Sequence, residues 1–302
     1  MRYGYIGLGN LGKHLAASLL HAGFDLTVHD LNRDAAADLI AGGAKWAQSP
    51  KELAAAVDAV ITCLPSPAAS AAVLTAENGV LNGLRAGGTW IEMSTTDQNE
   101  IERISRLAAE RGIATLAAPV TGGVHRAAAG EITVLIGGDR AVYETHVPAL
   151  EAMGGSIFYM GDLGKACVIK VITNMLAFIH LVAAGEALML AKRGGLDLAQ
   201  AFAAIKASSG TSFVHETESQ LVLNGSYNIG FTMDLACKDL GFAYGFGREL
   251  GVPLELAGLT EQIFRRAREQ YGGNAQSTQV VKLLEDALHT DLRAPGFPAE
   301  LV

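Results

Sequence analysis

The 302-residue sequence has only three cysteines, Cys63, Cys167 and Cys237, which lie far apart and form no CxxC pair. Scattered cysteines in odd number exclude a disulfide framework and favour a reducing compartment, so we predict a cytoplasmic protein. The eight histidines include no H-x3-H pair, so no metal site is expected. Because a strand is predicted to begin at Arg2, we expect no signal peptide.

Charge is also scarce, and its balance is acidic. Only 18% of the residues are charged, and the formal net charge is −8. An acidic protein is poorly suited to nucleic acid or to anionic membranes, so neither is expected as a partner. No run of eighteen apolar residues is free of polar interruption. The most apolar stretch, residues 176–190, contains His180 and Glu186, and we predict a buried helix there and no membrane span.

Half of the residues are hydrophobic, and their patterns change along the chain. Up to about Tyr159, short apolar strands alternate with helices, which indicates an α/β fold with a Rossmann-type doubly wound parallel sheet. From Gly164 onward only helical periodicity remains. We therefore predict an α/β domain over residues 1–162, which the glycine turn described next makes a dinucleotide-binding domain. An all-α domain for substrate binding and oligomerisation, as a homodimer or homotetramer, is predicted over residues 163–302.

The first strand runs directly into a G-x-G-x-x-G turn. Gly7 allows the tight turn, Gly9 lets the backbone approach a pyrophosphate, and Gly12 lets helix and strand pack closely. The phosphates would lie at the N-terminus of the following helix. The predicted cofactor-binding residues here are Gly7, Leu8, Gly9, Asn10, Leu11 and Gly12. The alternative is a sheet turn without a ligand.

Asp30, at the end of the second predicted strand, bears on the choice of cofactor. An acid there accepts hydrogen bonds from the ribose hydroxyls and repels a 2′-phosphate, so NAD is favoured over NADP. Arg33 lies nearby and would soften that preference. Asp30 has an alternative interpretation as a helix N-cap or turn residue.

Three further loops follow predicted strands and should line one cleft with the glycine turn. One begins at Leu64-Pro65, and the next contains Ser94 and Thr95, which are alternatively an N-cap. The third contains Thr121-Gly122-Gly123, whose uncovered N–H groups suit a carboxylate, unless it is a plain turn. His125 and Arg126 add positive charge to that loop.

Two lysines lie in apolar helical segments. Lys170 and Asn174 are four residues apart, so they share a helix face. A desolvated lysine has a lowered pKa and is suited to general acid–base catalysis, whereas the alternative is a lysine with its head in solvent. Lys238 alone would be taken for part of an exposed ion-pair face.

These motifs, in this order and spacing, resemble the β-hydroxyacid dehydrogenase family, which includes 3-hydroxyisobutyrate dehydrogenase. The resemblance extends from about Arg2 to His289. It implies that Lys170 is catalytic, that Asn174 holds the substrate, and that Thr121, Gly122 and Gly123 bind its carboxylate. It also implies that four residues lie beside the cofactor: Leu64, Pro65, Thr95 and Lys238.

The chain departs from the family pattern at four positions, where Thr121 replaces serine, Ala166 glycine and Thr173 asparagine, and Thr211 a basic residue. The reaction class stands, but the substrate is left open. We expect an NAD-dependent oxidoreductase that interconverts a small 3-hydroxy acid and its semialdehyde. The alternatives are an NADPH-dependent reductase of succinic semialdehyde, glyoxylate or a sulfonated aldehyde, and a catalytically silent NAD-binding redox sensor.

Overall fold

The computed structural model describes residues 1–301 in two compact units that divide between Lys170 and Val171. The first unit contains one sheet of nine strands. The strands are β1 (Arg2–Ile6), β2 (Asp25–His29), β3 (Lys45–Trp46), β4 (Ala59–Thr62), β5 (Thr89–Glu92), β6 (Ala114–Ala117), β7 (Val120–Thr121), β8 (Ile132–Gly138) and β9 (Gly154–Gly161).

The strand order is β3-β2-β1-β4-β5-β6-β8-β7, and β9 pairs with β8. Strands β1 to β6 pair in parallel, whereas β8 runs antiparallel to β6 and to β7. The sheet is mostly parallel, which confirms the predicted fold class. It is wrong to call it parallel throughout, because the two-residue strand β7 and the short helix after it let the chain reverse into β8.

Seven helices flank this sheet: α1 (Gly12–His21), α2 (Ala37–Ala41), α3 (Pro50–Ala56), α4 (Pro67–Thr75), α5 (Gln98–Ala109), α6 (Val124–Ala128) and α7 (Arg140–Met153). Side-chain caps begin several of them. Ser49, Ser66, Asp97 and Asp139 each accept a hydrogen bond from a backbone N–H of the first turn, and proline follows both serines. Apolar residues from both sheet faces form two core clusters, one around Tyr3, Leu15 and Val28 and one around Leu53, Val60 and Trp90.

The remaining helices are α8 (Leu163–Arg193), α9 (Leu198–Lys206), α10 (Phe213–Glu216), α11 (Glu218–Asn224), α12 (Met233–Leu250), α13 (Glu255–Tyr271) and α14 (Lys282–Ala287). The core of the helical unit includes Phe178, Leu240 and Phe264. The compact units divide inside α8, whereas the predicted domain boundary precedes that helix; the boundary of the folding domains stays a prediction.

Helix α8 is long and apolar enough to cross a membrane by length and composition alone, yet only 33% of its most apolar stretch is buried. Leu181, Leu188 and Met189 pack in the helical core, while Leu176 and Leu190 are exposed. The prediction of a buried helix over residues 176–190 is therefore correct for one face only. The reason is that apolar residues occur on every side of this helix, and the core covers one side.

Candidate active site

Four parallel strands of the sheet end in register at one edge. Ile6 pairs with Thr62, Thr62 with Glu92, and Glu92 with Ala117. The four loops singled out in the sequence therefore begin side by side, as expected. Strand β1 is followed in the chain by β2 on one side and lies against β4 on the other, so this edge holds the topological switch point where doubly wound sheets bind ligands.

The three glycines of the G-x-G-x-x-G turn have different surroundings. Gly7 has φ +98°, and a Cβ there would lie 2.2 Å from the carbonyl oxygen of Cys63. A Cβ on Gly12 would lie 2.0 Å from the carbonyl oxygen of Gly7. A Cβ on Gly9 would meet no atom within 4 Å. Gly7 and Gly12 are thus required by the fold, and Gly9 leaves the backbone open to an approaching group.

The N-terminus of α1 is suited to a phosphate. Leu11 occupies the cap position and gives no side-chain hydrogen bond, and the first turn contains no acidic residue. Other helices of this unit begin at serine or aspartate caps. The first backbone N–H groups of α1 and its dipole therefore favour an anion, which fits the predicted roles of Asn10 and Leu11.

The Asp30 carboxylate is tied to the glycine turn. It accepts a hydrogen bond from the backbone N–H of Leu8 at 2.7 Å through Oδ2, and another from Asn32 at 2.8 Å through Oδ1. The turn interpretation of Asp30 is therefore correct, whereas the cap of the next helical turn is Asn32. Each carboxylate oxygen has a second lone pair, so acceptance of ribose hydroxyls stays compatible with this geometry.

The loops after β4 and β5 are joined by a hydrogen bond. The backbone N–H of Leu64 donates to Ser94 Oγ at 2.7 Å. Pro65 follows in an exposed position, and Thr95 is half-buried. The cap of α5 is Asp97, so the alternative of Ser94 or Thr95 as its N-cap is wrong. Ser94 and Thr95 therefore belong to the loop at the sheet edge and not to the start of α5.

The predicted carboxylate loop runs from β7 into α6. Thr121 is the last residue of β7, and Gly122 and Gly123 have φ of +125° and +89°. Glycine is required for both values, and Gly123 is the N-cap of α6. The loop therefore joins a strand to a helix, and its binding of a carboxylate stays a prediction. A Cβ on Gly122 would lie 3.1 Å from Cδ of Arg126. The arginine side chain therefore folds over the glycine backbone.

His125 lies beside Arg126 in the same loop. Partial burial lowers the pKa of His125, and the charge of Arg126 lowers it further. The imidazole is therefore neutral at pH 7, and the positive charge of this loop comes from Arg126.

Lys170 is the last residue of the sheet unit and is 7% exposed. One turn earlier on α8, Ala166 and Cys167 pack into the sheet core. The ammonium group lies close enough to Cys63, the residue after β4, to act on the pKa of that thiol. This low exposure contradicts the alternative of a lysine with its head in solvent.

A group of polar side chains is also joined within the helical unit itself. Asn174 Nδ2 donates to Asp239 Oδ2 at 2.6 Å, and Lys238 Nζ lies 2.8 Å from Oδ1 of the same carboxylate. Asp239 is 1% exposed. Lys238 also lies over the ring of Phe242, at 5.1 Å from its centroid. Lys238 is thus paired with a buried acid, which contradicts its interpretation as part of an exposed ion-pair face.

Two buried acids, one in each unit, were missed as functional candidates. Asp239 links Asn174 to Lys238, and Glu92 ends β5 in the row of strand ends. Each stands in an otherwise apolar segment, and that was the available signal. Within residues 1–301, no group of three histidine, cysteine or acidic residues is placed to hold a metal ion.

Comparison with known proteins gives the same picture. Residues 2–161 match the family model of the NAD binding domain of 6-phosphogluconate dehydrogenase. Residues 164–284 match that of the NAD-binding region of NADP-dependent 3-hydroxyisobutyrate dehydrogenase. The 2-(hydroxymethyl)glutarate dehydrogenase of Eubacterium barkeri is 34% identical over 94% of this chain and 95% of its own length.

Solved structures agree across almost the whole chain. A 3-hydroxyisobutyrate dehydrogenase from Salmonella typhimurium superposes with a TM-score of 0.87 at 32% identity and covers 94% of this chain and 99% of its own. Psf3 in complex with NADP+ and 2-OPP gives a TM-score of 0.87 at 26% identity, over 93% and 99% of the two chains.

The sheet edge and these matches define a dehydrogenase with a dinucleotide-binding Rossmann domain. Within that class, the chain belongs to the β-hydroxyacid dehydrogenase family, whose members are NAD(P)-dependent enzymes acting on CH–OH groups. The named relatives act on different hydroxy acids, among them L-threonate for an enzyme of Cupriavidus necator that is 32% identical over 93% of this chain and 95% of its own length.

Proposed function

We propose that this protein is an NAD-dependent dehydrogenase that interconverts a small 3-hydroxy acid, similar to 3-hydroxyisobutyrate, and its semialdehyde. The observation that carries the proposal is Lys170. It is a buried lysine held on α8 beside the end of β4, where the cofactor-type loops begin. NAD, when bound, supplies the acceptor or donor of the hydride.

The residues of the chain have separate tasks in this proposal. Lys170 Nζ takes the proton of the 3-hydroxyl in oxidation and returns it in reduction. The Thr121-Gly122-Gly123 backbone holds the carboxylate, which orients the reacting carbon. Asn174, fixed by Asp239, orients the hydroxyl from the next turn of α8. On the cofactor side, Leu64, Pro65, Thr95 and Lys238 contact the dinucleotide.

The test is an assay of the purified protein with NAD+ or NADP+ and a panel of 3-hydroxy acids, followed at the NADH absorbance. Turnover of at least one 3-hydroxy acid with NAD+ is expected. Turnover only of aldehydes with NADPH would instead favour the reductase, which the NADP+ complex of Psf3 supports as a second candidate. Cofactor binding without turnover of any substrate would favour a silent redox sensor.

Asp30 is proposed to select NAD over NADP. Asp30→Ala should lower the ratio of kcat/KM for NAD+ to that for NADP+ about tenfold, or about 1.4 kcal/mol, because a 2′-phosphate is no longer repelled. The alanine also removes the acceptor of the Leu8 N–H. Asp30→Asn is the matched control, because it removes the charge and keeps an acceptor oxygen. An unchanged ratio in both variants would refute Asp30 as the selector.

Arg33 is the arginine nearest to Asp30 in the sequence. Its guanidinium carbon lies 5.8 Å from the centroid of the Trp46 ring, at the end of β3 beside β2. A guanidinium there is a site for a 2′-phosphate, which is why the Asp30 variants are expected to gain activity with NADP+ and not only to lose it with NAD+.

Arg126 is proposed to bind a second anionic group of the substrate. Its side chain lies over Gly122, in the loop assigned to the first carboxylate. Arg126→Ala should lower kcat/KM roughly tenfold for a dianion such as 2-(hydroxymethyl)glutarate and by less than about threefold for the monoanion 3-hydroxyisobutyrate. Arg126→Lys keeps the charge and should retain part of the selectivity. Equal losses for the two substrates would contradict the assignment.

We also propose a cytoplasmic homodimer or homotetramer. The helical unit exposes large apolar side chains on α8, on α13 and at the end of α12, namely Leu176, Leu190, Leu250, Leu256 and Leu259. Exposed apolar surface of this kind is commonly covered by a partner. The particle mass in solution, measured by light scattering, tests the proposal, and a monomer at micromolar concentration would contradict it.

A further inference from the structure

Glu92 is a buried acid directly beneath the two loops that are joined at the sheet edge. It ends β5, is 1% exposed, and pairs in register with Thr62 on one side and Ala117 on the other. None of the tasks proposed above uses it. A carboxyl group at this depth is costly to bury, so its hydrogen bonds should show what it is retained for.

The bonds of Glu92 lead to the loop after β4. Its Oε1 accepts a hydrogen bond from the backbone N–H of Ser94 at 2.8 Å. The Ser94 hydroxyl oxygen in turn accepts from the backbone N–H of Leu64 at 2.7 Å. Glu92 and Ser94 are both buried, so neither link is screened by water. The carboxyl group thereby fixes the turn after β5, and through it the loop after β4.

The carboxyl group of Glu92 also lies near Ser70 of α4, the helix that follows the loop after β4. Among residues 1–301, Glu92 Oε2 has no aligned hydrogen-bond partner, and neither has the buried hydroxyl of Ser70 in α4. Burial raises the pKa of Glu92 above its usual value, and the nearby hydroxyls of Ser70, Ser94 and Thr62 offset only part of that rise. Glu92 therefore lies close both to Ser94 in the turn after β5 and to Ser70 in α4.

We infer that Glu92 is a positioning residue for the cofactor site. It acts through Ser94 and holds the Leu64–Pro65 loop in the position that contact with the dinucleotide requires. The inference rests on the proposed contact of that loop with the cofactor. An apolar residue of the same length would leave the Ser94 N–H without an acceptor. The turn that holds the Leu64 loop would then no longer be fixed from below.

The test compares NADH affinity, measured by fluorescence titration, in two Glu92 variants of the full chain. Glu92→Met removes every polar atom at nearly constant length and should weaken NADH binding about tenfold. Glu92→Gln keeps an acceptor oxygen for the Ser94 N–H and should bind NADH within about threefold of the native protein. Native affinity in Glu92→Met, or an equal loss in both variants, would overturn the inference.

Ser94→Ala tests the link itself and remains informative if Glu92→Met does not fold. It should lower the NADH affinity about tenfold. The double variant with Glu92→Met should lose no more affinity than the weaker-binding single variant, because both substitutions interrupt the same chain of hydrogen bonds. If the affinity losses of the two single variants multiply in the double variant, the two residues act independently and the inference is overturned. The control is Tyr3→Phe, which removes a buried hydrogen bond of 2.9 Å to His146 Nδ1 on another element and should leave NADH binding unchanged.

A structural role alone would lower the unfolding temperature of Glu92→Met and Tyr3→Phe and leave the NADH affinity of both intact. NADH binding by the native protein distinguishes a failure of this inference from a failure of the proposed function. If the native chain does not bind NADH, the cofactor proposal fails. If it binds NADH and the Glu92 and Ser94 variants bind equally well, only the role of Glu92 is overturned.

Discussion

Replacement of Lys170 by alanine should lower kcat at least about a hundredfold while NADH binding is retained, because general acid–base catalysis by a positioned side chain contributes on this scale. Alanine is favourable in a helix, so α8 should persist. The neighbouring turn with Ala166 and Cys167 stays packed in the sheet core. The loss should therefore appear in turnover and not in the unfolding temperature.

The same helix offers a matched control. Lys165 lies in the first turn of α8, is largely exposed and pairs with Asp162 at 3.0 Å. Lys165→Ala removes a lysine from the same element and should leave kcat within about twofold, because exposed ion pairs contribute little. Kinetics with a 3-hydroxy acid and NAD+, together with NADH titration of each variant, give the comparison. Turnover near the native rate in Lys170→Ala would end the assignment.

Lys170 also shows what the sequence could and could not predict. The spacing alone predicted that Lys170 and Asn174 share one face of a helix. The spacing did not predict whether the Lys170 ammonium group is buried, because its burial depends on the residues that fold around it. The register of Ile6, Thr62, Glu92 and Ala117 is a property of the assembled sheet, although the parallel pattern predicted which loops would share its edge.

Some elements of the sheet unit leave no periodic pattern in the sequence. Strands β3 and β7 have two residues each, too few for a periodic pattern. Helix α4 is rich in alanine and has no separate apolar stripe, so helical periodicity is absent there. Its start was nevertheless visible in Ser66-Pro67, a serine cap followed by proline. Strands as short as β3 and β7 are fixed by their neighbours in the sheet.

Side-chain pairs were the least predictable feature. Asp239 is separated from Asn174 by more than sixty positions in the sequence, and their hydrogen bond depends on how α8 and α12 pack. Glu92 lies within a strand, where a charged residue in a buried segment is a conflict between pattern and position. Such conflicts mark functional or positioning residues, and both acids would have been found by asking what holds a charge in an apolar run.

Alanine substitutions at Gly9 and Gly12 should separate the cofactor role of the turn from its structural role. Gly9→Ala should leave the unfolding temperature unchanged, because a Cβ at Gly9 meets no atom within 4 Å. It should weaken NADH binding by at least about tenfold, because the methyl group occupies the space through which the pyrophosphate approaches the backbone.

Gly12→Ala should instead destabilise the fold. Its Cβ would lie 2.0 Å from the carbonyl oxygen of Gly7, so α1 and β1 must move apart. Overpacking usually lowers the free energy of unfolding by about 1–3 kcal/mol. The loss here should be at least that large, because the obstructing atom belongs to the backbone. Thermal unfolding without cofactor should show a lowered midpoint for Gly12→Ala and a native midpoint for Gly9→Ala.

Gly245→Ala, in the middle of α12, is the control for a glycine with equally open space. It should leave NADH binding unchanged and raise stability by up to about 1 kcal/mol, the gain from replacing glycine in a helix. Native NADH affinity in Gly9→Ala would mean that no phosphate approaches this turn. The turn would then be a device of sheet packing alone, and the cofactor would have to be sought at another part of the same edge.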